Sequence, residues 1–355
     1  MTSHMTTALT TLILLAIASV GGFVASYLHT PLPYMLGSLI ASGVIAMFLT
    51  HRIPDNYKFP MKFRMIFMSI IGVTIGTRVT PEVVSSLADY LPSFAFLTIF
   101  VCVAHWVNYH IFRKIGRYDH PTAFYAGTPG GLIESIAMGE AAGANIAVLT
   151  IQQFLRIIAV ITLMPIGMSL WYGAPVGSAS GLSLAETGAD LHAMPMVLLL
   201  GAIGLGIGKL LRIPAGLLTG PLLVAAIATL SGFTDLSIPQ WVINMCQVVI
   251  GTSLGMRFAG LKKDALFRAS WLSVLSVSSM LVLGLICALI LVPITGLPVD
   301  VLLISFAPGG VTEMALIALS LRANPAIVTL HHIYRIILTV VEMTAVVRFM
   351  DRKRL

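Results

Sequence analysis

The chain has 355 residues, 57% of them hydrophobic and only 10% charged, with a formal net charge of +7. Run after run of about 17–25 apolar residues, the length that crosses a bilayer, specifies an integral membrane protein and excludes a water-soluble one. In a soluble protein the positive charge would suggest nucleic acid; here the basic residues lie in short clusters between apolar runs, as the positive-inside bias requires, so no nucleic-acid partner is expected.

The N-terminus lacks a basic region and a small-residue cleavage site, so the first apolar run reads as a retained helix. In chain order the first half has six apolar segments, at 8–28, 33–50, 63–79, 91–112, 120–142 and 145–170. A polar stretch without Lys or Arg, 171–192, follows. Six more segments come after it, at 193–210, 214–232, 240–257, 269–295, 299–321 and 325–348. The expected organisation is a first membrane repeat over 1–170, an extracytoplasmic linker over 171–192 and a second membrane repeat over 193–355. Cys102, Cys246 and Cys287 fall inside apolar runs with no C-x-x-C spacing, which points to neither a disulfide framework nor a metal knuckle.

The two halves are copies of one pattern. Pro129-Gly130-Gly131 and Glu134 recur as Pro308-Gly309-Gly310 and Glu313, an offset of 308 − 129 = 179. That offset also carries Asn145, Thr150 and Arg156 onto Asn324, Thr329 and Arg335, and "IGVTIGTR" (71–78) onto "IGTSLGMR" (250–257). Further upstream, "TPLPYMLGSL" pairs with "IPAGLLTGPL" through Gly37 and Gly220 at an offset of 220 − 37 = 183. An unbroken register over such a span is the mark of an internal duplication.

Charge sets the orientation of each copy. In the first half basic clusters follow the second segment (Arg52, Lys58, Lys62, Arg64) and the fourth (Arg113, Lys114, Arg117). In the second half they follow the first (Lys209, Arg212), the third (Arg257, Lys262, Lys263, Arg268) and the last (Arg348, Arg352, Lys353, Arg354). All of these lie inside only if the fifth segment of each half leaves by the side it entered. Pro-Gly-Gly then forms the tip of a re-entrant hairpin, one from each side, since irregular backbone at membrane depth survives only inside protein or beside a wet cavity. The expected fold class is an all-α polytopic membrane protein of two inverted repeats, each with five transmembrane helices plus one re-entrant helical hairpin. This is a recurring plan of secondary transporters. Hairpins and the helices after them are expected to form one unit that moves against the remaining helices.

Arg156 and Arg335 lie ten or eleven residues into the last helix of each half, roughly 15 Å deep at about 1.5 Å per residue. Asn145, Gln152 and Arg156 are spaced i, i+7, i+11, as are Asn324, His331 and Arg335, which aligns each trio along one face. An intramembrane Arg is functional by default; the structural alternative is a partner for the hairpin's Glu or for loose carbonyls at its tip. Glu134 and Glu313, three residues after each glycine pair, read either as charges that complement their own helix N-terminus or as carriers of a coupling ion or proton. The predicted substrate site comprises Arg156, Arg335, Gly130, Gly131, Gly309, Gly310, Asn145, Asn324, Gln152 and His331, with coupling at Glu134 and Glu313. No catalytic residue, metal or cofactor is expected. Gly72-x-x-x-Gly76 and Gly251-x-x-x-Gly255 read as close-packing faces, with Arg78 and Arg257 at their helix ends. Glu342, seven residues after Arg335, reads as a gate or as a partner for Arg348.

Through "PYMLGSL", "IGVTIGTR", "GTPGGLIE" and their second-half partners, nearly the whole chain resembles the bacterial membrane AbrB family, defined by a duplicated membrane domain. Its members are labelled ammonia monooxygenases or regulators of gene expression. A copper monooxygenase needs convergent His ligands, yet the nine histidines are scattered; His331 and His332 are adjacent on a helix, and His105 and His110 stand five apart near a helix end. A DNA-binding regulator needs a soluble basic module, and no loop is long enough for one. The reading is therefore of a secondary transporter of a small organic anion or amino acid, not an enzyme, in the bacterial inner membrane with both termini cytoplasmic. Its expected partners are the substrate, H+ or Na+ and the lipid bilayer; a homo-oligomer is compatible with this reading.

Overall fold

The computed structural model describes residues 2–30, 32–54, 57–173, 191–259, 263–321 and 323–352. Residues 174–190, most of the expected linker, lie outside the described residues. Every apolar segment read from the sequence is helical: α1 (Thr2–Tyr27), α2 (Pro33–Phe48), α3 (Met61–Gly76), the short α4 (Pro81–Ser85), α5 (Leu91–His110), α6 (His120–Ala126), α7 (Leu132–Ala141) and α8 (Ile146–Tyr172). Then come α9 (Met194–Leu210), α10 (Gly216–Leu230), α11 (Gln240–Gly255), α12 (Lys263–Thr295), α13 (Val299–Phe306), α14 (Val311–Ser320) and α15 (Pro325–Arg352). The segments 120–142 and 299–321 are each two short helices interrupted at their Pro-Gly-Gly. Proline has no amide proton and glycine pays the most to be ordered, so a helix stops there.

Among the described residues, five helical stretches are long and apolar enough to cross a membrane: Met5–Tyr27, Pro81–Ile115, Ile146–Tyr172, Leu266–Thr295 and Pro325–Arg348. Shorter apolar helices include α2, α9, α10 and α14. Their outer faces carry large apolar side chains, such as Leu12, Val20 and Phe23 on α1 and Leu210 on α9, as a lipid-solvated surface requires.

By contacts the described chain divides into two compact units, and each takes helices from both sequence halves. One holds Met1–Val84, Pro165–Lys262 and Ala315–Ala326. Within it α1 packs on α2, α9 on α10, α3 on α10 and α11 on α2. The last two contacts use the glycine pairs. A methyl group at Gly76 would lie 2.7 Å from the Ala225 methyl of α10, and one at Gly255 would lie 2.7 Å from the Gly43 amide of α2, so both crossings depend on bare backbone. Entry into α2 and α10 is alike too. His29 and Leu32 before α2, and Arg212 and Ala215 before α10, all have positive φ, between 47° and 53°. A left-handed non-glycine residue costs about 1–2 kcal/mol, which the burial of Leu32 helps to offset.

The other unit holds Ser85–Met164, Lys263–Met314 and Ile327–Leu355. Its long α12 packs on α5 and α13, where Phe100 meets Phe306 edge to face at 5.4 Å. Ser276 donates to the buried Asn108 Oδ1 at 2.8 Å, joining α12 to α5. A cluster of Ile111, Phe112, Tyr125, Leu149, Leu272 and Met343 forms its core.

Candidate functional site

Both helix breaks, α8 as far as Met164 and most of α15 belong to this second unit. At the first break α6 ends at Ala126 and α7 restarts after Gly131, whose φ of 61° is left-handed and suits glycine. Arg156 of α8, 5% exposed, donates from Nη1 to the Thr128 carbonyl at 2.5 Å. One turn earlier on α8, Gln153 Nε2 donates to the Tyr125 carbonyl at 2.7 Å and to the Thr128 hydroxyl at 2.8 Å. That hydroxyl also pairs with Ser135 of α7 at 2.8 Å, so the arms on both sides of the break are tied together.

The second break repeats this arrangement at the equivalent positions of the other half. Arg335, 1% exposed, donates from Nη1 to the Ala307 carbonyl and from Nη2 to the Gly309 carbonyl at 2.6 Å. Its Nη2 also donates to His332 Nδ1 at 2.7 Å. A guanidinium only donates, so His332 Nδ1 is bare, its Nε2 carries the proton, and Nε2–H donates to the Ile304 carbonyl at 3.0 Å. Thr128 with Ala307, Tyr125 with Ile304, and Gln153 with His332 are separated by the same offset as Arg156 and Arg335.

Arg335 also reaches the first break. A methyl group at Gly130 would stand 3.5 Å from Arg335 Nε and 3.2 Å from Thr339 Oγ1, so both breaks converge on one guanidinium. The positive charge of Arg156 acts on it as well. No carboxylate among the described residues lies within ion-pair distance of either guanidinium. The Nε atoms of both arginines are buried without a hydrogen-bond partner among the described residues. Each unmade bond of a buried charged group costs roughly 1–3 kcal/mol or more.

Of the predicted residues, Arg156, Arg335, Gly130 and Gly309 meet at the breaks. Glu134 and Glu313 lie beside the glycines at the starts of their own helices: a methyl group at Gly131 would stand 3.5 Å from the Glu134 carboxylate, and one at Gly310 would press on that of Glu313. A carboxylate at the start of a helix complements the helix dipole, one of the two readings of each Glu. Asn145 and Asn324 cap helices: Asn145 Oδ1 accepts from the Val148 amide at 3.2 Å, and Asn324 Oδ1 accepts from the Ala326 amide at 3.0 Å.

Gln152 and His331 lie away from the breaks. Gln152 donates to the Tyr118 hydroxyl at 2.7 Å and accepts from Ser273 at 2.6 Å. His331 pairs with Ser93 at 2.7 Å and stacks on Phe94 with centroids 4.4 Å apart. The expected trio along one face therefore shifts by one residue, to Gln153/Arg156 and His332/Arg335. Side chains tilt toward the helix N-terminus, so the group three residues before each Arg stands beside its guanidinium. Gln153 and His332 occupy equivalent positions of the two halves, but so do Gln152 and His331, so the repeat by itself does not choose between i−3 and i−4. Glu342, expected as a gate or as a partner for Arg348, pairs with His105 at 2.7 Å.

An all-helical chain with several apolar spans and charged side chains buried at two helix breaks is a multi-pass membrane protein. Residues 44–351 match the family described as transition state regulatory protein AbrB, and the chain belongs to that family. It is similar to the uncharacterized protein YhjN of Bacillus subtilis, 25% identical over 342 residues, which cover 92% of this chain and 89% of that protein. It is also similar to the Escherichia coli protein named "Putative regulator AbrB", 22% identical over 333 residues, which cover 93% of this chain and 92% of that one.

Proposed function

We propose that this chain is a secondary transporter that binds a small organic anion or amino acid where its two helix breaks meet, coupled to H+ or Na+. The observation that carries the reading is the pair of buried guanidinium groups with unpartnered Nε atoms and no carboxylate within ion-pair distance among the described residues. A bound carboxylate would accept from such donors and relieve the repulsion of Arg156 and Arg335, whereas ammonium would add to it. The N-termini of α7 and α14 add to the attraction for an anion. Glu134 and Glu313 at these N-termini are the coupling candidates, because a proton or sodium ion there would change the charge the anion meets.

The inverted-repeat reading is supported by matching spacings. Arg156 and Arg335 hold equivalent carbonyls, and the left-handed entries into α2 and α10, at Leu32 and Ala215, share the offset of Gly37 and Gly220. In this reading the broken segments are re-entrant hairpins, each half crosses five times, and both termini face the cytoplasm of a bacterial inner membrane.

Thermal unfolding of purified protein tests the reading, with organic acids, amino acids and ammonium, with and without Na+, at two pH values. An anion should raise the midpoint of the wild type. Arg156→Ala and Arg335→Ala should each weaken its binding about tenfold or more, the loss of roughly 1.5–3 kcal/mol in charge-assisted hydrogen bonding. Unchanged anion binding in both folded variants would falsify the site.

A further inference from the structure

A second titratable cluster lies in the same unit, apart from the guanidinium pair. His105 of α5 is 2% exposed. Its Nδ1 meets both oxygens of Glu342 on α15, at 2.7 and 2.8 Å, and its Nε2 meets the Phe124 carbonyl of α6 at 2.9 Å. These contacts fix a proton count. A carbonyl only accepts, so Nε2 carries a hydrogen. The contact between Nδ1 and the carboxyl group then needs a hydrogen of its own, on Nδ1 or on Glu342. The pair therefore holds one proton more than a neutral imidazole beside a carboxylate.

Removing that proton breaks one contact or the other. Either the bare Nδ1 faces carboxylate lone pairs, or the ring takes its other tautomer and Nε2 no longer donates to Phe124. The Phe124 carbonyl also accepts from the Gly127 amide at 3.2 Å, so this bond ends on the last turn before the first break. Glu342 lies two helical turns beyond Arg335 on α15, and a methyl group at Gly130 would stand 3.2 Å from the hydroxyl of Thr339 between them. A cavity of about 330 Å³ lies beside the pair, lined in part by Trp106, Tyr109, His120 and Phe124. The titratable groups facing the pair there are Cys102 and Tyr109 on α5 and His120 on α6.

We propose that His105 and Glu342 form the proton-binding site of this protein, and that loading it clamps α6 to α5 and α15. The proposal deepens the transporter reading, on which its meaning for transport rests, by making H+ the coupling ion and by placing it on a carboxylate other than Glu134 or Glu313.

Hydrogen exchange of residues 120–131 in the purified full chain tests it, without substrate, from about pH 5 to 9 and corrected for the intrinsic rate. In the wild type, protection should fall about tenfold or more as pH rises through a single-proton step. Glu342→Gln can donate to Nδ1 as a protonated carboxyl does, so it should keep the protection and lose the step. His105→Ala should lack the protection throughout. A wild type without the step, or the same step in both variants, overturns the proposal; if His105→Ala does not fold, Glu342→Gln alone decides. No substrate is present, so this result is independent of anion binding at Arg156 and Arg335, and the two readings fail separately.

Discussion

Arg335 holds three acceptors at once, the carbonyls of Ala307 and Gly309 and the bare nitrogen of His332. Only a planar fork of donors can do that, so Arg335→Lys should keep the charge and still lose anion affinity, by about tenfold in a thermal-shift titration. His332 supplies an acceptor to Arg335 and a donor to Ile304. A glutamine has both, and Gln153 meets the equivalent carbonyl, that of Tyr125, in the first half. His332→Gln should therefore unfold within about 1 kcal/mol of the wild type, whereas His332→Ala should cost about 1–3 kcal/mol by leaving buried groups unpaired. The charge of the arginines and their place within α8 and α15 were legible in the sequence. Which neighbour shares their face was not, because i−3 and i−4 differ by one helical step and only the position of the break carbonyls selects between them.

The break arms are held as elements by caps and backbone contacts. Asp119 Oδ1 accepts the Thr122 amide at 2.9 Å at the start of α6. Partial burial, the largest influence, pushes its carboxyl up, but the Thr122 amide and hydroxyl, its own amide and Arg113 hold it below the ordinary value on balance. A folded value below the unfolded one means that the cap contributes fully above the unfolded value, near pH ~4, and is lost as pH falls through the folded value. Asp119→Ala should lower stability by about 1 kcal/mol at neutral pH, and the gap to the wild type should close in acid.

Helix crossings give a sharper contrast. A methyl group at Gly251 of α11 would press on the α2 backbone, while one at Gly206 of α9 meets nothing within 4 Å. Thermal unfolding should show Gly251→Ala destabilised by about 1–3 kcal/mol and Gly206→Ala unchanged or stabilised by up to about 1 kcal/mol. The helical segments were readable to within a few residues at most ends, because apolar runs and Pro-Gly interruptions are local signals. An exception is α12, which starts at Lys263 rather than at 269, since charged residues at a helix end interrupt the apolar pattern without interrupting the helix.

For the whole molecule, the proposed inverted arrangement predicts Ser180 outside and both termini inside. In a variant lacking Cys102, Cys246 and Cys287, a cysteine at 180 should react with a membrane-impermeant maleimide in intact cells, and one at 352 only after permeabilisation; the reverse pattern overturns the arrangement. Membrane residence, the two repeat offsets and the candidate arginines were set by the sequence alone, because each depends on composition, local periodicity or identity along the chain. Tertiary structure decided that each compact unit gathers helices from both halves, that Gln153 and His332 stand beside the arginines, and that Glu342 meets His105 rather than Arg348. The physical reason is that such pairings join side chains as far apart as 237 residues. No local signal encodes the helix rotations and depths that bring them within hydrogen-bond reach.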